Sequence, residues 1–471
     1  MAKSAGGEVR DDPELLAEVA NLVEAPAALL GDFDPAFLDL PREVLIAVMK
    51  KHQRYFPVES PVIASKRSER SNLPAPSARL LNKFIAVGNG DFDKSAVTAG
   101  NADVIRARFA DAAYFIRKDR ELPLEFYVEQ LKELTFQKDL GSMGDKTRRI
   151  VALVKELAPR LGLTADESKA AERAAHLCKA DLATKMVIEM TSLQGVMGKY
   201  YALDAGEPPA VAEALLEHYL PRFAGDATPR SKAGLAVGLA DRLDTLAGLF
   251  ALGLEPTGAK DPFAQRRAAI GLVQSLMAWD MDFDLHEAIS LAAAAQPVLV
   301  SDAAKAKALE FIIQRQRALL LEGGTRHDVV DAVLAVQGRN PVAAARAVRE
   351  LAAELAQPDW PQTLAAFSRC VRITRGLKEI YEVDENSLED KTVDRVFLGA
   401  IKKAETNHLK QRSVGSFFRS FKPMVLAVTN YFDKVLVMAE DEQLRRNRLG
   451  MLQRIVALAS GVADFSKLEG F

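Results

Sequence analysis

The chain has 471 residues, 49% of them hydrophobic and 27% charged, so it is long enough for several domains with sizeable cores. Because 62 Lys and Arg nearly balance 64 Asp and Glu, the net charge of −2 excludes a strong overall attraction to nucleic acid, and any such binding must come from local patches. No apolar run reaches roughly 18 residues, which predicts no membrane span. Two cysteines are too few for a disulfide framework.

Residues 1–92 predict two short helices and a small amount of β structure, and residues 97–134 have a helical pattern. Residues 12–23 have helical spacing, which Pro26 and the turn residues at 31–35 interrupt. Residues 40–54 predict a second helix that ends in a basic cluster. No strand is predicted before residue 55.

Two β-rich segments near the N-terminus, residues 55–63 and 80–92, predict an antiparallel hairpin. A Pro- and Ser-rich tract at residues 60–77 is the predicted connection, without regular structure. Because an isolated hairpin is marginal in water, we expect it to be the remnant of a larger α/β module whose other parts are missing from this chain.

Residues 121–325 predict helices throughout, and one of them carries charges on a buried face. Residues 236–251 place four apolar side chains on one helical stripe, namely Leu239, Leu243, Leu246 and Phe250. Asp241 and Asp244 lie beside this stripe. Asp261 with Pro262 predicts the start of the next helix. Earlier, residues 170–190 predict one continuous helix that holds His176 and Asp181.

These charged residues allow two interpretations. Asp241 and Asp244 can pair with Arg242, Arg266 or Arg267 and fix how two helices cross, which is the more common role of such clusters. Alternatively, His176 and Asp181 can converge with both aspartates on a divalent ion. A single histidine leaves that site short of nitrogen ligands, so structural packing is the preferred prediction.

The C-terminal 146 residues predict a helical bundle with a local basic excess. Between residues 367 and 454 there are 17 Lys and Arg against 12 Asp and Glu. This excess predicts an RNA-facing surface, although a solvated helix face is the alternative. The candidate RNA-binding residues are Arg369, Arg372, Arg375, Lys402, Lys403, Lys410, Arg412, Arg445, Arg446 and Arg448.

Four phrases resemble the β subunit of the heterotetrameric, bacterial-type glycyl-tRNA synthetases. They are LPREVLIAVMKKHQRYFPV at residues 40–58, LLNKFIAVGNGDF at 80–92, LQGVMGKYYAL at 193–203 and LADRLDTLAGLFALGLEPTGAKDPFAQRRAAIGLV at 239–273. The resemblance spans residues 40 to 464. In that family a longer region precedes the HQRYF phrase, so the resemblance implies an N-terminally truncated chain. The ending VADFSKLEGF is similar to plant organellar forms, in which α and β are fused.

The resemblance implies a mainly α, multi-domain protein: an N-terminal remnant at residues 1–120, an HD-like helical domain at 121–325 and a C-terminal anticodon-binding bundle, similar to that of arginyl-type synthetases, at 326–471. It implies tRNA(Gly) and an α subunit as partners, in an α2β2 or fused αβ enzyme of the bacterial cytoplasm, chloroplast or mitochondrion. ATP and Mg²⁺ are expected on the α subunit, which activates glycine. We expect no cofactor, metal or catalytic residue on this chain.

An HD hydrolase signature needs an adjacent His-Asp pair, but Lys179-Ala180-Asp181 stands where the resemblance places it. His176, Asp181, Asp241 and Asp244 are therefore expected to form a degenerate site. The alternatives that remain are a metal-dependent HD-type phosphohydrolase, which would use His176, Asp181 and Asp241, and a helical scaffold that binds no nucleic acid.

Overall fold

The computed structural model describes residues 1–61, 79–385, 393–408 and 412–471, and helices dominate it. The chain divides into two compact units. The first comprises Met1–Lys155, Leu163–Tyr219 and Arg230–Val237, and the second comprises Glu156–Gly162, Leu220–Pro229 and Gly238–Phe471. A mainly α fold is confirmed, and the domain boundaries expected at residues 120 and 325 stay predictions. Within the described ranges, no helix combines the length and apolar character needed to cross a bilayer.

The first unit contains a small sheet and a set of helices. Its elements in chain order are α1 Pro13–Ala20, β1 Pro26–Asp32, α2 Arg42–Gln53, β2 Phe56–Glu59, β3 Leu80–Asn89, α3 Lys94–Asp119, α4 Leu124–Gln130, β4 Thr135–Gln137, β5 Gly141–Ser142, α5 Met143–Arg160, α6 Ala165–Leu177, α7 Lys185–Glu189, α8 Val196–Asp204 and α9 Pro209–Glu217. Helix α10, Lys232–Ala251, begins in the first unit and ends in the second, whereas the C-terminal end of α5 belongs to the second.

The second unit is entirely helical in the part of the chain that the structure describes. Its further helices are α11 Gln265–Ala278, α12 Leu285–Ala294, α13 Asp302–Glu322, α14 His327–Gln337, α15 Pro341–Leu355, α16 Trp360–Thr374, α17 Val393–His408, α18 Val414–Phe421, α19 Val425–Lys434 and α20 Glu442–Ala457. Its C-terminal part packs around an aromatic cluster in which the Phe367 ring lies 5.4–5.5 Å from those of Phe417, Phe421 and Phe465, edge to face.

The predicted hairpin forms two strands of a three-stranded sheet. Strands β2 and β3 pair antiparallel, as predicted, but β1 pairs with the other side of β3, giving the order β1-β3-β2. The sequence prediction missed β1 because Pro26 and Gly31 look like breaks. Pro26 is the first residue of an edge strand, where proline is tolerated. A Cβ at Gly31 would lie 2.3 Å from the Phe84 ring, so the glycine makes room for that side chain. Most of the predicted connection at 60–77 lies outside the described residues.

Two predicted helix boundaries are wrong. The helix expected over residues 170–190 ends at Leu177, and α7 starts anew because the Thr184 hydroxyl accepts the Val187 amide while the Asp119 carboxylate accepts the amides of Lys185 and Met186. Helix α11 starts at Gln265 and not at Pro262, although the Asp261 carboxylate does cap it, accepting from Gln265 N.

The apolar stripe predicted on α10 is confirmed. Leu239, Leu243, Leu246 and Phe250 are all buried. Asp244 is buried beside them, as expected for a charge on the buried face of this helix.

Candidate nucleic-acid interface

His176 and Asp181, which the metal-site hypothesis groups together, make different contacts. His176 lies near the end of α6 with 43% of its side chain exposed, and its Nε2 is 2.9 Å from Oε2 of Glu125. Asp181 is buried, and its Oδ2 accepts the amides of Gly195 at 2.5 Å and Gly198 at 3.1 Å, at the start of α8. Burial raises the pKa of Asp181 to about 6, although both amide hydrogen bonds act in the opposite direction.

Lys179 occupies the position where an HD signature would have its histidine, and its contacts do not suit a metal. Its buried Nζ lies 3.0 Å from Nε2 of His218, and Nδ1 of the same imidazole lies 2.8 Å from the Leu215 carbonyl. A carbonyl only accepts, so Nδ1 carries the proton and Nε2 accepts from the ammonium. An ammonium has no lone pair and cannot ligate a cation. These residues do not fit an HD-type metal, and no three His, Cys, Asp or Glu side chains among the described residues group as metal ligands do.

The two aspartates of α10 lie in the second unit. Asp244 Oδ1 accepts from Nε2 of Gln296 at 2.9 Å, which ties α10 to the end of α12. The neighbouring Arg242 is buried and donates to the carbonyls of Gly238 and Leu220 at 2.9 and 2.7 Å. These contacts connect segments of the second unit, which is a structural role.

Four of the predicted RNA-binding cations are exposed and have no ion-pair partner among the described residues. Arg372 and Arg375 lie at the C-terminal end of α16, Lys403 lies on α17, and Arg412 precedes α18. An unpaired surface cation keeps its full charge for an incoming phosphate. These four form the strongest part of the candidate interface.

Three further candidates are exposed but already have partners. Arg369 Nη1 lies 3.7 Å from Asp433, Lys402 pairs with Glu385, and Arg446 Nη2 lies 3.3 Å from Glu379. Two of these guanidinium groups also cover aromatic rings: Arg369 lies 4.5 Å from the centroid of Phe432, and Arg446 lies 4.9 Å from that of Tyr381. Their charge is partly neutralised, so each offers less to an anion.

Two more of the candidate arginines, Arg445 and Arg448 on α20, hold the segment that precedes that helix. Arg448 is buried, and its Nη1 donates to the Leu436 carbonyl at 2.8 Å. Arg445 is half-buried, and its Nη1 donates to the Ala439 carbonyl at 3.1 Å. The remaining candidate, Lys410, lies outside the described residues. We therefore leave Arg445 and Arg448 out of the interface proposed below.

The sequence analysis did not predict Arg395 on α17 as an RNA-binding residue. Like Lys403, it lies on the exposed face of this helix. The acids of this helix are turned inward: Asp394 is buried, and Glu405 pairs with Arg454. Its cations point to solvent. The signal in the sequence was the helical spacing of Arg395 with the lysines at i+7 and i+8.

Comparison with known proteins identifies the family. The sequence profile of the glycyl-tRNA synthetase beta subunit matches residues 1–335. This chain belongs to the glycyl-tRNA synthetase β-subunit family. The resemblance seen in the four phrases is thus confirmed, and the match includes the HQRYF phrase and the whole of α10.

Curated relatives cover nearly all of the chain. The glycine–tRNA ligase beta subunit of Moorella thermoacetica is 40% identical over 99% of the chain and 67% of the relative, and that of Clostridioides difficile is 39% identical over 99% and 66%. The chloroplastic/mitochondrial glycine–tRNA ligase 2 of Arabidopsis thaliana is 38% identical over the full chain but only 43% of its own length. The chain therefore spans about two thirds of its bacterial relatives and less than half of the plant protein.

Proposed function

We propose that this chain is the tRNA-recognition part of a glycine–tRNA ligase, in which ATP-dependent attachment of glycine to tRNA(Gly) takes place on a partner α subunit or on a fused α region. The observation that carries the proposal is the set of exposed cations on α16 and α17 that have no ion-pair partner in the described part of the chain, in a member of this family. ATP and Mg²⁺ belong to the α subunit in this scheme, and the enzyme works in the bacterial cytoplasm, chloroplast or mitochondrion.

The chemistry of the proposed interface is phosphate recognition. Guanidinium and ammonium groups that lack an internal partner can bind phosphodiester oxygens, and each such contact releases condensed counterions. Arg372 and Arg375 lie about one helical turn apart and can contact neighbouring phosphates. The guanidinium planes of Arg369 and Arg446, each of which lies over an aromatic ring, add surfaces on which an unpaired base can stack.

A salt-dependent binding titration tests this proposal. The chain should bind a tRNA(Gly) transcript with an affinity that falls as salt rises, and R372Q/R375Q should reduce the magnitude of the slope of log K against log salt by roughly 0.7–0.9 per lost contact. The matched control is R346Q, because Arg346 is exposed but already pairs with Asp280 and Asp282. A slope that changes equally in R346Q and in the double variant would contradict the proposed interface.

The second half of the proposal concerns catalysis. The chain alone should bind tRNA but form no glycyl-adenylate, since adenylate formation is assigned to the α subunit. Glycine-dependent pyrophosphate exchange by the pure chain would refute this division of labour. No observation favours the phosphohydrolase alternative, because Lys179 and His218 satisfy each other.

A further inference from the structure

Helix α17 contains a glycine whose presence its own packing does not explain. Gly399 is the seventh residue of the 16-residue helix, and its position is exposed. Apart from the neighbouring residues and the backbone of the same helix, no atom of the described residues lies within 4 Å of where a Cβ at Gly399 would be. Glycine in the interior of a helix lowers helix stability relative to alanine. The helix thus loses stability at a point where a side chain would fit.

The same face of α17 carries the positive charge of the helix. Arg395, Gly399, Lys402, Lys403 and Thr406 recur at i, i+4, i+7, i+8 and i+11, which is one helical stripe, and the three cations on it are exposed. Arg395 and Lys402 lie roughly 10 Å apart along the helix axis, one on each side of the glycine. The stripe is therefore a positive strip in which one central position, Gly399, has no side chain.

The acids of α17 do not neutralise this strip from within the helix. Asp394 is buried, and Tyr431 on α19 has its pKa raised by burial first and then by that carboxylate. Glu405 Oε1 accepts from Nε of Arg454 on α20 at 2.7 Å. Glu385, which precedes α17 and pairs with Lys402, offsets part of the outward charge. The charge of this face is therefore complementary to that of an anionic partner.

We propose that the RNA phosphodiester backbone of the bound tRNA lies across α17 at Gly399, with Arg395, Lys402 and Lys403 contacting phosphates on both sides. Gly399 serves as the point of closest approach, because a missing side chain lets a ligand backbone come near the helix. This inference rests on the proposed function and adds to it a positioning residue that carries no charge.

The test separates helix stability from RNA binding. G399A and G399Q keep the net charge and should raise the protection of α17 amides in hydrogen exchange, since both residues favour a helix more than glycine does. They should also weaken binding of a tRNA(Gly) transcript, G399A modestly and G399Q by at least roughly tenfold, which corresponds to a loss of about 1.4 kcal/mol.

The salt slope provides a second readout. If the glutamine side chain holds the RNA away from the lysines, the slope of log K against log salt should lose roughly 0.7 per displaced phosphate although no charge has been removed. A purely structural role of Gly399 would not change this slope.

The chain offers a matched control in Gly100. It is the seventh residue of α3, it is also exposed, and, apart from its neighbours and the backbone of α3, no described atom lies within 4 Å of where its Cβ would be. G100A and G100Q should raise amide protection of α3 in the same way and leave tRNA affinity unchanged.

The possible outcomes are distinct. If the wild-type chain does not bind tRNA, the proposed function fails and this inference fails with it. If the wild type binds and G399Q binds equally well, only the inference is overturned. If G399Q keeps its tRNA affinity but loses affinity for the α subunit, the strip is a protein-docking face and the RNA assignment is wrong.

Discussion

The sharpest prediction concerns the buried carboxyl group of Asp181. It accepts two amides at the start of α8 and is fully buried, and its pKa rises from the ordinary value of 3.8 to about 6. Between these two pH values the unfolded chain loses its proton while the folded chain keeps it. Stability therefore falls as pH rises through this window, and the difference in pKa corresponds to about 3 kcal/mol.

The substitution D181N removes the titration and keeps one oxygen to accept the two amides. At pH 4 the protonated wild type and the variant are both neutral, and the variant's amide group costs about 1–3 kcal/mol if it lacks an acceptor. Because the unfolded carboxyl is already partly ionised at pH 4, the free energy of unfolding of the variant minus that of wild type should rise by about 2.4 kcal/mol between pH 4 and 7.5, in favour of the variant.

Hydrogen exchange read by mass spectrometry can measure this difference locally, in peptides from α7 and α8. Local measurement matters because a multi-domain chain does not unfold in two states. The control is D331N: Arg317 first of all lowers the pKa of Asp331, so its stabilising contribution is lost as pH falls, with the opposite sign. A D181N difference that is constant with pH, or that grows in favour of wild type, would refute the argument.

Three further substitutions follow from the packing. D119A removes the carboxylate that accepts two α7 amides and the Tyr201 hydroxyl, all in the first unit. The variant should destabilise that unit by about 3 kcal/mol or more, measured in thermal melts. An unchanged melt would contradict a structural role of Asp119. G450A would place a Cβ 2.7 Å from the Tyr381 carbonyl oxygen and should lower the free energy of unfolding by about 1–3 kcal/mol. The loss should appear as reduced amide protection in residues 377–385. Wild-type protection there would show that this segment moves aside without cost. Burial lowers the pKa of His408. The C-terminal helices should therefore lose stability as pH falls below about 6.5, the pKa of an unfolded histidine. H408Q should abolish this pH dependence when thermal melts at pH 5 and pH 7 are compared.

The sequence predicts an element well where one local pattern decides it. The stripe that includes Leu239 and Phe250 is fixed by a period of 3.6 residues, and both side chains are buried as predicted. Strand β1 was missed because its two apparent breaks make sense only beside β3, where Gly31 accommodates the Phe84 ring. The break after Leu177 likewise depends on Asp119, a residue distant in sequence. Contacts with residues distant in the sequence decide these features, so a short stretch of sequence cannot predict them.

At the candidate site the limit is a different one, namely that a count of charges ignores where each charge lies on its helix. Arg446 and Arg448 belong to one basic run, yet one is exposed and the other is buried against the Leu436 carbonyl. Strict periodicity does separate them, because Arg448 lies at i+4 from Leu444 and four residues before Leu452, both buried. A count of charges cannot make that distinction. Only the position of each cation on its helix indicates whether its charge faces solvent.

A chain with a net charge of −2 can still present a positive surface to an anionic partner. Each internal ion pair removes one acid and one base from the surface, so the local field depends on which charges remain unpaired and not on their sum. Asp394 and Glu405 are used inside the bundle, whereas Arg395 and Lys403 are left outside it. Turning acids inward thus creates a positive face without adding a single basic residue. A nearly neutral composition is therefore no argument against binding of RNA by this chain.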